Sequence, residues 1–243
     1  MNSNDIAHLL TELKMPAFKE HYMAEIRNPD TNRLTHEERL FHALEAEFVH
    51  RKRMRFERLL KASKIKYSTA SIEALTFDNR RNLERGVLLA LAICDWVKFH
   101  QNIILTGLTG VGKTHIASGL GIEAIKRDYR VLFKRLPTLL DELEVSRAEG
   151  RLLKYMAMLS RFQILIIDDF GLPKLTARSR RDLLEIVEEK TGKGSIVITS
   201  QMPTEKWHEY IGDDAIADAI LDRLIHKAHI IDIQGESMRR QQR

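Results

Sequence analysis

The sequence predicts an α/β protein, a parallel sheet covered by helices on both faces, joined to a smaller all-helical amino-terminal domain. Three observations carry that expectation. Short runs of Ile, Leu and Val alternate with helix-like stretches between residues 102 and 233, the pattern of strands joined by crossover helices. Those runs are almost wholly apolar, as strands covered on both faces require. Ahead of residue 67 the apolar residues recur only at helical spacing. The expected domains are therefore a helical one over 1–66 and an α/β one over 67–243.

In the first domain, Ile6, Leu9, Leu10 and Leu13 keep helical spacing after the possible caps Ser3 and Asn4, and Pro16 breaks that pattern. A second short helix carries Phe18, Tyr22 and Ile26, and Asn28-Pro29-Asp30 is the turn that ends it. Thr35 followed by Glu38 matches a capping box, after which Leu40, Phe41, Leu44 and Phe48 line one face of a longer helix. From Arg51 the chain turns basic. Arg51, Lys52, Arg53, Arg55, Arg58, Lys61, Lys64 and Lys66 are opposed within their window only by Glu57. Residues 67–78 read as a connector whose Ile72, Leu75 and Phe77 dock onto the rest of the second domain.

The second domain is expected to comprise a helix around 80–94, a strand at 102–106, a helix at 113–127, a strand at 130–135 and helical segments across 137–160. A strand at 163–168, a helix at 177–191, a strand at 195–199, helices near 204–210 and 213–227, and a strand at 229–233 complete it. Between the first strand and its helix, Gly107, Leu108, Thr109, Gly110, Val111, Gly112, Lys113 and Thr114 spell G-x-x-x-x-G-K-[ST], with His115 next. Glycines at those positions let successive backbone N–H groups turn inward around a polyphosphate, and the helix after them points its positive end at the same charge. Lys113 then reaches the β and γ phosphates, and the Thr114 hydroxyl faces Mg²⁺. ATP and Mg²⁺ are the expected cofactors.

Bulk properties exclude several classes. The 39 basic and 34 acidic residues leave a net charge of +5, a bias toward polyanions too small to establish nucleic-acid binding alone. Cys94 is the only cysteine, so no internal disulfide forms, and a reducing cytoplasmic setting is expected. No zinc spacing occurs. The longest apolar stretch, Gly86 to Cys94, is too short to span a membrane, and the first ten residues lack the basic-then-apolar order of a signal peptide.

The strand Ile164–Ile167 ends in Asp168 and Asp169, where a phosphate-loop protein needs its metal-side carboxylate. Asp168 is assigned to the metal, and Asp169 to orienting or deprotonating the attacking water, although Glu is usual there. At the tip of the strand Ser195–Thr199, Ser200 or Gln201 holds the lytic water or senses the γ phosphate; ordinary turn formers are the alternative. Arg223, in D-A-I-L-D-R-L-I-H, is positioned to act as an arginine finger on a neighbour's nucleotide, or else pairs with Asp222 or Asp218.

The set G-L-T-G-V-G-K-T-H, I-L-I-I-D-D-F-G-L, I-V-I-T-S-Q and K-W-H-E-Y-I-G-D-D-A-I-A-D-A-I-L-D-R-L closely resembles the IstB family of insertion-sequence ATP-binding proteins, relatives of DnaC helicase loaders, over essentially the whole chain. The resemblance implies an AAA+ ATPase core, a helical amino-terminal domain, homo-oligomeric rings or helices around DNA, and partnership with a DDE-type transposase. It supports Lys113 and Thr114 for nucleotide and magnesium, Asp168 and Asp169 for the Walker B roles, and Arg223 for the finger. One departure stands out. Only ten residues come after Ile233, which leaves no room for the usual helical lid with its second sensor arginine; Arg239 or Arg240 is its candidate substitute.

Loader ATPases insert an extra helix between the second and third core strands, and two helical segments fall there. Arg147, Arg151 and Lys154 are then candidate contacts to a duplex, largely independent of base sequence, as are Arg51, Arg53 and Arg55. The alternative for both groups is a solvated helical face. The functions to separate are an ATP-dependent regulator of transposition, a replicative helicase loader, and a small-molecule kinase, for which neither an Arg-rich lid nor an acceptor pocket is visible.

Overall fold

The computed structural model describes residues 3–27, 34–75, 77 and 81–238. Contacts divide the chain into two compact units, Met1–Arg58 and Leu59–Arg243. The division falls inside a helix that continues to Ser63, whereas the sequence suggests a boundary at 66/67.

The first unit holds α1 (Ser3–Glu12), α2 (Pro16–Arg27) and the start of α3 (His36–Ser63). Pro16 opens α2, where its fixed φ suits the first helical turn. The capping box on α3 forms: the Glu38 amide donates to Thr35 Oγ1 at 3.2 Å, and the Thr35 amide to Glu38 Oε2 at 2.7 Å. Leu10, Phe18 and Ala43 are the buried core, flanked by Ile6, Met15 and Tyr22. Beside it the buried Glu47 accepts the amides of Ala17 and Phe18 at the start of α2 (3.0 and 3.2 Å) and pairs with Arg51. The face expected from Leu40, Phe41, Leu44 and Phe48 is largely uncovered, at 45–62% exposure; Ala43 and Glu47 turn inward instead. The expected turn Asn28-Pro29-Asp30 lies outside the described residues.

In the second unit, α4 (Arg85–Ala92) and α5 (Asp95–Lys98) replace the single expected helix, because Cys94 takes a left-handed conformation (φ 68°) between them. Beyond them come five parallel strands in the order β2-β3-β4-β1-β5. They are β1 (Asn102–Gly107), β2 (Val131–Arg135), β3 (Ile164–Phe170), β4 (Ser195–Ser200) and β5 (Ala228–Ile233). The connecting helices are α6 (Lys113–Lys126), α7 (Leu136–Ala148), α8 (Leu152–Ser160), α9 (Ala177–Lys190), α10 (Trp207–Ile211) and α11 (Asp214–Ile225).

Helices cover both faces of this sheet. Ile104, Leu165, Ile167 and Ile198 pack with residues of α7, α9 and α11. The alternate residues Val131 and Ile166 meet α6 at Gly121, where an added Cβ would stand 2.9 Å from Ile166 Cδ1. The connector docks as expected on the same helix: Ile72 is buried, and a Cβ at Gly119 would stand 2.9 Å from its Cδ1. Among the described residues no helix comes after β5, and no helix is long and apolar enough to cross a membrane.

Candidate phosphate-binding site

Because β4 lies between β1 and β3, the phosphate loop, the β4 tip and the Asp168-Asp169 pair emerge side by side at the carboxy-terminal edge of the sheet, where open α/β sheets hold ligands. The loop from Gly107 to Gly112 needs its glycines. Gly107, Gly110 and Gly112 have φ of 135°, 89° and 100°, values that side-chain-bearing residues rarely adopt. A Cβ on Gly107 would also stand 2.1 Å from the Ile233 carbonyl oxygen. Lys113 is buried and folds back over the loop, donating to the carbonyls of Gly107 and Leu108 at 2.6 and 2.8 Å.

Asp168, fully buried at the end of β3, is the centre of the polar network. Thr114 Oγ1 donates to its Oδ1 at 2.8 Å and Thr199 Oγ1 to the same oxygen at 2.5 Å. Its other oxygen, Oδ2, is buried without a hydrogen-bond partner, a costly arrangement unless a cation or its water shell satisfies it. Residues of this type fit a magnesium ion. Asp169 leaves the strand differently. Pairing of β3 with β4 steps from Ile167↔Ile198 to Phe170↔Ser200, a bulge that places one extra residue at the two carboxylates. Asp169 takes φ 62° there, and its carboxylate accepts Arg135 Nε from the end of β2 at 2.7 Å.

The two residues at the β4 tip separate. Ser200 is buried and ties its own turn, donating to the Phe170 carbonyl and accepting the Met202 amide. Gln201 is exposed and accepts the Thr109 hydroxyl of the phosphate loop at 2.7 Å. A cleft of about 490 Å³ opens along the loop, lined by Lys113, Thr114 and His115 together with Tyr67, Arg81 and Met238. Burial lowers the His115 pKa, and the Tyr67 ring lies 5.6 Å from its imidazole. Thr199, Arg135, Arg81, Tyr67 and Met238 do not stand out in the sequence as site residues. A threonine just before the β4 tip offered a faint signal, and the others offered none.

Arg223 lies elsewhere. Asn102, at the opposite end of β1 from the phosphate loop, donates its side-chain amide to the Arg223 and Leu224 carbonyls, and the length of β1 is roughly 17 Å. The guanidinium pairs with Glu188 of α9 at 3.0 Å. This corrects the alternative of Asp222 or Asp218: a neighbour in sequence does not share its helix face, and Asp218 meets His208 at 3.3 Å.

The candidate DNA contacts divide by their partners. Arg147 grips the buried Asp182 with two hydrogen bonds, Arg151 pairs with Glu149, and Lys154 is exposed. Arg51 is committed to Glu47 and to the Lys14 carbonyl, Arg53 pairs with Glu57, and Arg55 is exposed. Arg239 and Arg240 lie outside the described residues.

A parallel sheet in this strand order, with a phosphate loop after β1 and a carboxylate near the carboxy-terminal end of β3, defines an AAA+ P-loop fold. The chain belongs to the family described as IstB-like ATP binding protein, whose profile matches residues 8–243. It is similar to the insertion-sequence ATP-binding protein y4pL of Sinorhizobium fredii, at 40% identity over 90% of this chain and 89% of the relative. The ATP-binding protein of insertion sequence IS21 from Pseudomonas aeruginosa is 32% identical over 97% of this chain and 89% of its own length. Among solved structures, the crystal structure of the DnaC helicase loader shares the fold, with a TM-score of 0.58 at 18% identity, covering 68% of this chain and 97% of the loader.

Proposed function

We propose that this chain is an ATPase that assembles on duplex DNA and recruits or stimulates a DDE-type transposase, its nucleotide being held at a seam between subunits. The observation that carries the catalytic half is the convergence of the Thr114 and Thr199 hydroxyls on one oxygen of Asp168, which leaves the other buried and unpaired. Membership of a family described as ATP binding supports the nucleotide, and the insertion-sequence names of the relatives support the transposition role.

In this reading the loop amides from Leu108 to Lys113 cradle the phosphates, His115 flanks them, and the Lys113 ammonium turns from the loop carbonyls to the phosphate oxygens. Thr114 and Asp168 hold magnesium, which when bound offsets charge on the phosphate oxygens. Asp169 orients or deprotonates the attacking water while Arg135 fixes its direction. Of the two β4 candidates Gln201 is the sensor, since its side chain already reaches Thr109; Ser200 shapes the turn that presents it. Arg223, at the far end of β1 from its own phosphate loop, serves a neighbour's site. The helical domain over residues 1–66 supplies DNA, partner or self-assembly contacts.

A helicase-loader role is the second reading, favoured by the DnaC-like fold alone. Electron microscopy and sedimentation with duplex DNA and a non-hydrolysable ATP analogue test the proposal: ordered oligomers that need both ligands are expected, and a chain that stays monomeric at saturation would overturn it. Parallel pull-downs against transposase and replicative helicase separate the two readings.

A further inference from the structure

Arg81 precedes α4 and carries none of the roles above, yet it is 8% exposed and lines the phosphate cleft. Its Nη2 donates to the Val111 carbonyl at 2.7 Å, and a Cβ on Gly112 would lie 3.3 Å from the same nitrogen. The tail after β5 reaches the next peptide along. The Met238 amide donates to the Gly110 carbonyl at 3.0 Å, with Ser237 packed so closely that a Cβ on Gly110 would stand 2.1 Å from its Oγ. These two flanking segments are also joined to each other: the Gln234 amide donates to the Arg81 carbonyl, and Asn82 Nδ2 to the Asp232 carbonyl.

In a trans peptide the C=O and N–H point in opposite directions. A donor that pins the Val111 carbonyl therefore turns the Gly112 amide away from itself, and one that pins the Gly110 carbonyl does the same to the Val111 amide. Among the described residues neither of those two amides has a protein acceptor. A polyphosphate in the loop is the acceptor they suit.

We propose that Arg81 is a positioning residue of the nucleotide site: by holding the Val111 carbonyl it aims the Gly112 amide at bound phosphate, and the Met238 amide does the same for Val111. Together they form a clasp that sets the loop from outside, in a core where no lid helix comes after β5 among the described residues. The inference rests on the phosphate loop holding ATP.

The test uses the full chain, with affinities for a non-hydrolysable ATP analogue and for ADP measured alongside thermal unfolding without nucleotide. R81A is expected to lose about tenfold in affinity for both nucleotides, the effect of one charge-assisted hydrogen bond on loop order. R81K, which keeps one donor, should recover most of that loss. M238P removes the tail N–H at a half-buried position and is expected to weaken both nucleotides several-fold while the chain stays folded. Wild-type affinity in folded R81A and M238P would overturn the proposal, as would an R81A loss accompanied by an equal fall in nucleotide-free stability that R81K does not repair. A wild-type chain that binds neither nucleotide, or a K113A variant that binds both normally, would instead remove the ATP reading on which the clasp depends.

Discussion

At the scale of single residues, burial determines which polar groups carry chemistry and which carry structure. Asp168 and Lys190 are both buried, but their surroundings differ. Asp168 keeps an unpaired oxygen beside two hydroxyls, whereas the Lys190 ammonium donates to the backbone carbonyls of Leu159 and Phe162 where α8 ends. Desolvation lowers the Lys190 pKa to about 8 from its ordinary 10.5. Below about pH 8 the lysine is charged in both folded and unfolded chains. Between there and its ordinary value the unfolded chain binds more protons, so this group adds stability as pH rises. The unfolding temperature of the wild type relative to K190M should accordingly increase from about pH 7.5 to about 9.5, and a flat difference by calorimetry would show that the amine stays charged inside. Residues of the phosphate loop were legible in the sequence because four fixed positions in eight carry the chemistry locally. Arg81 and the Arg135–Asp169 pair were not, because their partners lie 30 and 34 residues away and only the sheet brings them together.

At the scale of elements, the strands were readable because β1, β3 and β4 are runs of Ile, Leu and Val buried on both faces. The bulge at Asp168-Asp169 was not, since an extra residue in a strand depends on the register of its neighbour. The segment α7–α8 shows the same limit in a charged element. Lys134 of β2, Glu142 of α7 and Tyr155 of α8 are joined by hydrogen bonds of 2.5 Å, which fasten the segment to the sheet. Along it the sequence offers Arg147, Arg151 and Lys154 as equals, but the fold does not treat them alike. R147A leaves the buried Asp182 carboxylate without its guanidinium and should cost roughly 3 kcal/mol of stability. K154A should leave stability within about 0.5 kcal/mol and, where DNA runs along this segment, lower the salt-dependence slope of binding by about one. Denaturant unfolding and salt titration of duplex affinity read the two effects separately; a K154A variant with unchanged slope would take α8 out of the DNA path.

At the scale of the whole molecule, the two ends of β1 impose a direction. The phosphate loop stands at one end of β1 and the Arg223 backbone beside the other, a strand length of roughly 17 Å, so in the proposed reading the nucleotide this arginine serves belongs to another copy. Such a head-to-tail contact is heterologous and builds rings or helical filaments. Its consequence is complementation between two inactive chains. R223A keeps an intact phosphate loop and should bind ATP as the wild type does, without DNA-stimulated turnover; K113A keeps Arg223 but should lose the nucleotide. Mixed in equal amounts on duplex DNA, some seams pair the loop of one variant with the arginine of the other, and turnover should return to at most about a quarter of the wild-type rate, the limit for random co-assembly. The ATPase rate of the mixture, followed against the ratio of the two variants, measures this directly. If the mixture stays as inactive as its parts while both variants still co-assemble, Arg223 does not act in trans, and its bond to Glu188 is its whole role.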